Sequence, residues 1–237
     1  MAASDRVPAE RRRRRPTRTG TVLSRELIVT AALELIEAPG GNALTVRRLG
    51  AALGCDPSAI YRYFADTDTL LLAVADKLIG DSLTGFTSGR DWVASLRDFG
   101  MRVHSSVLQH PRLAAVRASR FTAGPAESQA VDTGIGILLQ AGFDPAQAVR
   151  HYRMFIDTVL AHAAVDADVR DLTEQQRDQA SQVWQEDYSH LSADQYPNLH
   201  QVRAHLSAMS GSAFLDTLDA LLAHLVALRR QQSAPTP

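Results

Sequence analysis

The 237-residue sequence predicts an all-α fold: an N-terminal three-helix unit of helix-turn-helix type, then a larger C-terminal antiparallel helical bundle. Three observations predict it. From residue 24 onward, apolar residues recur at i, i+3/i+4 spacing, the period of a helix with one buried face. The breaks between these stretches carry helix stop and start residues, such as Pro39-Gly40-Gly41-Asn42 and Gly142-Phe143-Asp144-Pro145. No stretch alternates apolar and polar residues as a half-buried strand would.

Residues 1–22 are polar, arginine-rich and aperiodic, which predicts an arm that is disordered on its own. Ser24 is a natural N-cap for a helix whose stripe is Leu27, Ile28, Ala31, Ala32, Leu35 and Ile36. Thr45 caps the next, with Val46, Leu49 and Leu53 inward, and Gly54 permits a sharp turn. Asp56 and Pro57 then suit N-cap and N1 of a third helix running to about Phe64. Asp66 or Thr67 opens a fourth, and the polar stretch Gly80 to Asp91 is the expected domain boundary. The domains expected are therefore 23–80 and 81–230, with a frayed tail at 231–237.

Beyond the boundary, helices are expected over Trp92–Gln109, Arg112–Arg120, Ala126–Ala141, Pro145–Val165, Glu174–His190, Leu199–Ser207 and Ser212–Arg230. At the Gly142–Pro145 junction glycine suits C′, Asp144 the N-cap and Pro145 N1. Thr173 and Gln176 have capping-box spacing.

The net charge of −1 conceals an asymmetry. Residues 6–25 hold eight arginines against one acid, Glu10, whereas residues 71–237 hold 14 basic and 18 acidic residues. A basic arm on a mildly acidic body implies a nucleic-acid partner at one end. One cysteine, Cys55, excludes an internal disulfide, and no apolar run approaches the ~20 residues that span a bilayer. A cytoplasmic protein without membrane contact is the expectation.

In the stretch from Leu44 to Phe64, burying Leu44, Val46, Leu49, Leu53, Ile60 and Phe64 against Leu27, Ala31 and Leu35 leaves Ser58, Ala59, Tyr61, Arg62 and Tyr63 on or near the outer face. These side chains suit a DNA groove. Ala59 can touch a thymine methyl, Arg62 can reach guanine O6/N7 or a phosphate, and the tyrosines can donate to phosphates. The competing interpretation is a helical hairpin with core tyrosines and a solvated arginine.

Residues 24–79 resemble the DNA-binding domain of the TetR family of bacterial transcriptional regulators. The resemblance lies in Ala-Leu-Glu-Leu-Ile of the first helix, Leu-Thr-Val-Arg-Arg-Leu-Gly-Ala-Ala-Leu-Gly, Ser-Ala-Ile-Tyr-Arg-Tyr-Phe, and the triple leucine of the fourth helix. The remainder is similar to the regulatory domain of the subgroup that includes the tetracycline repressor. Its marks are His110-Pro111-Arg112-Leu113, the Gly142–Pro145 junction, Tyr196-Pro197-Asn198-Leu199, and a last helix with Phe214, Leu218, Leu221 and Leu222.

The resemblance implies a ligand-released repressor that binds a palindromic double-stranded operator as a homodimer. By position, Thr45 and Arg47 would touch phosphates, while Pro57, Ser58, Ala59, Tyr61, Arg62 and Tyr63 would face the major groove. Family members usually carry a lysine early in the fourth helix; Asp66-Thr67-Asp68-Thr69 stands there instead. The arm residues Arg11, Arg12, Arg13, Arg14 and Arg15 could compensate by entering the minor groove or tracking phosphates.

A small-molecule effector of unknown identity is the second expected partner. Inward aromatic and polar residues are its candidate contacts: Met101, His104 and Leu108, then Phe121, Phe143, His151, Phe155, Thr158, His162, Trp184 and Tyr188. Ordinary core packing explains the same spacing. Tetracycline-binding members use histidine to reach a drug-chelated magnesium; around Ala114–Phe121 this chain has Arg117 and Arg120 and no histidine, so tetracycline is not expected. Arg117 joins the candidates, and an anionic ligand is one possibility it raises. Dimerisation is expected through the helix near Pro145–Val165 and the stripe Phe214, Leu218, Leu221, Leu222 and Leu225, for which intramolecular packing is the alternative.

No enzyme signature accompanies these features: there is no Gly-x-Ser-x-Gly, P-loop or dinucleotide fingerprint. No metal site and no cofactor are expected. The alternative to a ligand-responsive regulator is an architectural protein that binds DNA non-specifically through its basic tail.

Overall fold

The computed structural model describes residues 22–38 and 44–233. The Arg11–Arg15 arm and the Pro39–Asn42 helix stop lie outside these residues. Among the described residues the chain is all-helical, with no strand.

The first unit extends to Val74. Helix α1 (Arg25–Glu37) begins where the Ser24 hydroxyl accepts the Leu27 N–H at 3.1 Å. Helix α2 (Val46–Leu53) begins where Thr45 Oγ1 accepts the Arg48 N–H at 3.3 Å. It ends at Gly54, whose φ of 62° is left-handed and suits glycine. Ile28, Ala32, Leu49, Leu53, Ile60 and Phe64 are buried, with α1 on α2 and α2 on the segment that follows.

That segment corrects one expectation. Pro57–Arg62 is a 3₁₀ helix rather than an α-helix reaching Phe64. Its ladder is of the tighter kind, with the Tyr63 N–H on the Ile60 carbonyl at 2.9 Å. Runs this short tolerate the tighter turn. The cap forms as its residues predict: the Asp56 carboxylate accepts the Ser58 N–H at 2.8 Å, and Pro57 follows at N1.

The second unit begins at Ala75, inside helix α3 (Thr67–Ser82). The packing boundary therefore falls before Gly80, within one continuous helix. Helices α4 (Trp92–Gln109), α5 (Ala114–Ser119), α6 (Pro125–Gln140), α7 (Pro145–Asp171), α8 (Glu174–Gln182), α9 (Pro197–Val202) and α10 (Phe214–Ser233) follow. Helix α7 runs six residues beyond the expected Val165, to Asp171.

Phe99 of α4, Ile137 and Leu138 of α6, Phe155 and Val159 of α7, and Leu218 and Leu225 of α10 form one buried cluster. Gly142 closes α6 at φ 91°; a Cβ there would lie 2.4 Å from the Arg229 guanidinium, whose Nε donates to the Ala141 carbonyl at 2.6 Å.

Candidate DNA-reading surface and effector cavity

The 3₁₀ segment presents Ser58, Tyr61 and Arg62 to solvent, with Tyr61 53% exposed. Pro57 and Ala59 are half-buried beside them, and Thr45 and Arg47 are exposed at the start of α2. The turn is tight because Gly50 lacks a side chain: a Cβ there would sit 3.1 Å from both the Cys55 carbonyl and the Pro57 ring. Hydrogen bonds from Ser58 hold the Asp56 carboxyl below the usual range, so the cap stays ionised. Burial and then the Asp56 charge push the Cys55 thiol up, away from the reactive thiolate.

Tyr63 is oriented otherwise than its neighbour. Its hydroxyl donates to the Leu23 carbonyl at 2.6 Å, across forty residues. Its own carbonyl accepts Arg25 Nη1 at 3.0 Å, and the Arg25 guanidinium lies 4.2 Å from the centroid of the Phe64 ring. Tyr63 thus anchors the reader to the start of α1 with the proton it was expected to offer DNA. Arg25 thus ties the start of α1 to the reader, a contact for which its place directly after the Ser24 cap is the one sequence signal. Asp66, where a lysine was the expectation, caps α3 by accepting the Thr69 N–H at 2.6 Å.

In the second unit a cavity of about 310 Å³ opens between α3, α4, α5, α6 and α7. Phe99, Val103, Ile135, Ile156 and Leu160 make its apolar wall, and Tyr152 and Arg117 add polar groups. Phe121, 75% exposed, and Arg153 stand at its rim, the guanidinium 5.9 Å from the ring centroid. Gly134 makes room for Tyr152, since a Cβ there would come within 2.2 Å of the ring. Burial, with the nearby Glu127 charge, raises the Tyr152 hydroxyl's pKa, so it remains a neutral donor.

Of the expected effector contacts, Arg117 and Phe121 line this cavity. Phe155 lies wholly in the core and Met101 packs against it. Buried His104 places Nε2 2.8 Å from Asp166 Oδ2 and stacks on Phe214 at 3.7 Å; His162 tilts against the same ring at 6.1 Å. His151 meets Phe143 edge-on at 4.9 Å. Desolvation, then the Arg150 and His224 charges, hold the His151 pKa below its ordinary value. Thr158 donates to the Met154 carbonyl at 2.7 Å. Trp184 and Tyr188 stack on each other at 4.7 Å. Tyr152, Ile156 and Leu160 were missed, although their i, i+4, i+8 spacing on α7 was a readable face.

The expected dimer stripe is corrected. Phe214, Leu218, Leu222 and Leu225 are buried within the chain itself, and Leu221 packs against the same cluster. The stripe is spent on α4 and α7. The exposed faces left on these helices carry Met154, Ala161 and Val165 of α7 and His224 of α10.

Among the described residues, no group of three or more His, Cys, Asp or Glu residues could hold a metal ion. No single described helix is long and apolar enough to cross a membrane.

Comparison with known proteins gives the family. Residues 28–74 match the model of the bacterial regulatory proteins of the tetR family, and residues 87–228 match that of the tetracyclin repressor-like C-terminal domain. An HTH-type transcriptional regulator of Saccharopolyspora erythraea is 28% identical over 133 residues, 56% of this chain and 56% of that protein. The chain thus spans little more than half of that relative. The tetracycline repressor protein class C of Escherichia coli is 30% identical over 160 residues, 65% of this chain and 73% of that protein. The crystal structure of a putative transcriptional regulator from Streptomyces coelicolor A3(2) superposes with a TM-score of 0.71 at 26% identity, covering 90% of this chain and 99% of that one.

Proposed function

We propose, from the premise that the chain belongs to the TetR family of bacterial regulatory proteins, that it is a cytoplasmic repressor released from a palindromic operator by a small ligand. The observation that carries this reading is the reader itself. Capped α2, left-handed Gly54 and the Asp56-capped segment expose Ser58, Tyr61 and Arg62 together. Arg62 would read a base edge, and Thr45, Arg47 and Tyr61 would hold phosphates. The arm Arg11–Arg15 would add sequence-independent attraction.

Two copies would bind two half-sites about 34–36 Å apart, one helical turn. The faces bearing Met154, Ala161 and Val165 of α7 and His224 of α10 would make the homodimer. Entry of a ligand into the cavity would favour a reader separation unfit for the operator; only such differential affinity produces release. Helix α3, which begins at Thr67 and supplies Ile79 to the cavity wall, is the segment through which that preference would travel.

DNase footprinting on DNA flanking the gene tests the reading. The expectation is one protected palindrome with half-site centres a helical turn apart. Uniform, weak protection of any sequence would contradict it and favour an architectural role.

A further inference from the structure

We propose that the cavity takes an amphipathic organic anion, a carboxylate or similar oxyanion carried on an apolar ring system, and that Arg117 binds the charged group. This inference rests on the ligand-responsive reading above.

Arg117 is 5% exposed and lines the cavity. Its Nη1 donates to Ser106 Oγ at 2.9 Å, and that hydroxyl faces the Leu78 carbonyl at 3.4 Å. Its Nε is buried with no hydrogen-bond partner. No carboxylate pairs with the guanidinium among the described residues. Burial lowers its pKa to about 10, which still leaves it protonated at neutral pH. A buried charge without a counter-charge is costly and is normally paired or hydrogen-bonded throughout.

The acids at the cavity are engaged elsewhere. Glu127 accepts the Ala123 N–H at 2.8 Å and shares the Thr122 hydroxyl, at 3.2 Å, with Asp76. Asp157 pairs with Arg153. No described residue supplies the missing partner, and the geometry gives it a shape. One end must be anionic, to accept from the planar guanidinium. The rest must be apolar, to lie against Phe99, Val103, Ile156 and Leu160. A volume of about 310 Å³ is at the small end for ligand sites, which restricts the body to a few fused or linked rings. A structural role, bridging Ser106 and Leu78, would use Nη1 alone and leave both the idle Nε and the adjoining void unexplained. A metal-chelated ligand would bring positive charge against Arg117.

The test uses 8-anilinonaphthalene-1-sulfonate and its uncharged counterpart N-phenyl-1-naphthylamine, which shares the rings and lacks the sulfonate. Titrated by fluorescence into the full chain, the sulfonate should bind wild type at least about tenfold more tightly than Arg117→Met, the scale of one charge-assisted contact. The neutral amine should bind both within about twofold, which also reports that the variant is folded. Arg117→Lys, which keeps charge but loses the fork, should fall between. The sulfonate should raise the melting temperature of wild type more than that of Arg117→Met, and the unliganded variant should melt higher than unliganded wild type. A sulfonate preference that survives Arg117→Met, or a wild type that prefers the neutral amine, overturns the proposal. The regulatory reading fails separately: if the sulfonate binds through Arg117 yet saturation leaves the operator complex intact, the anion site stands and ligand-driven release does not.

Discussion

The carboxylate of Asp76 accepts the backbone N–H of Glu127 at 2.9 Å, joining α3 to the first turn of α6. The same carboxylate accepts the Ala126 N–H at 3.3 Å and the Thr122 hydroxyl at 3.0 Å. It is therefore an N-cap supplied from another helix, and it sits one short loop from Phe121 and Arg117. A Cβ on Gly124 would come within 2.2 Å of it, so the close approach requires glycine.

Asp76→Ala should cost about 1 kcal/mol of stability, the usual scale of a lost cap. It should leave operator affinity nearly unchanged and weaken effector-driven release, because the loop beside the cavity loses its tie to α3. Denaturant melts and operator titrations with and without effector measure both. Undiminished release would remove Asp76 from the transmission path.

The two tyrosines of the reader should separate cleanly. Tyr63→Phe removes the bond to the Leu23 carbonyl and should cost about 0.5–1.5 kcal/mol of stability. Tyr61→Phe should leave stability alone and weaken DNA binding. Thermal melts beside anisotropy titrations make the comparison; a Tyr61 variant that loses stability instead would contradict the orientation described.

Gly134→Ala puts a methyl group where the Tyr152 ring lies. The ring must move toward the cavity, so naphthalene-sulfonate affinity should fall several-fold and stability by about 1–3 kcal/mol, as overpacking does. Unchanged probe affinity would show that the space lies elsewhere.

The depressed pKa of His151 carries a pH signature. The folded state disfavours the imidazolium, so between the folded value and about 6.5 the unfolded chain binds more protons. The stabilising contribution is present above that range and is lost as pH falls through the folded value. Melting temperatures of wild type should drop between pH 7 and 5 more steeply than those of His151→Gln. Parallel slopes would contradict this.

Arg62 and the arm should fail in different ways. Arg62→Ala should cost about 1–3 kcal/mol and relax preference at one base position. Deleting residues 1–20 should weaken binding to all sequences alike and flatten the salt dependence. An unchanged salt slope would remove the arm from the interface.

Local chemistry was the legible part of this chain. The Ser24, Thr45, Asp56, Asp144 and Thr173 caps all form as hydrogen bonds within three residues, and a cap is decided by its immediate neighbours. Which way a side chain finally turns was not legible. Tyr61 and Tyr63 read alike, and only the fold brings the Leu23 carbonyl to one of them. The α10 stripe had the width for a partner copy, but α4 and α7 reach it first. Arg117 and Arg120 are equivalent in sequence; burial distinguishes them, and burial is a tertiary property. Periodicity located the inward faces of the bundle, whereas the cavity depends on Gly134 yielding space to Tyr152 from another helix.

The central claim is sequence-specific DNA binding by the Gly54 turn and the segment after it. Fluorescence anisotropy of the intact protein on its own upstream DNA, beside scrambled DNA at physiological salt, tests it most directly. The account predicts tight binding to one palindromic segment, by about 10³-fold or more over the scrambled sequence. Equal, weak binding to both would contradict it and leave a basic arm as the whole of the DNA contact.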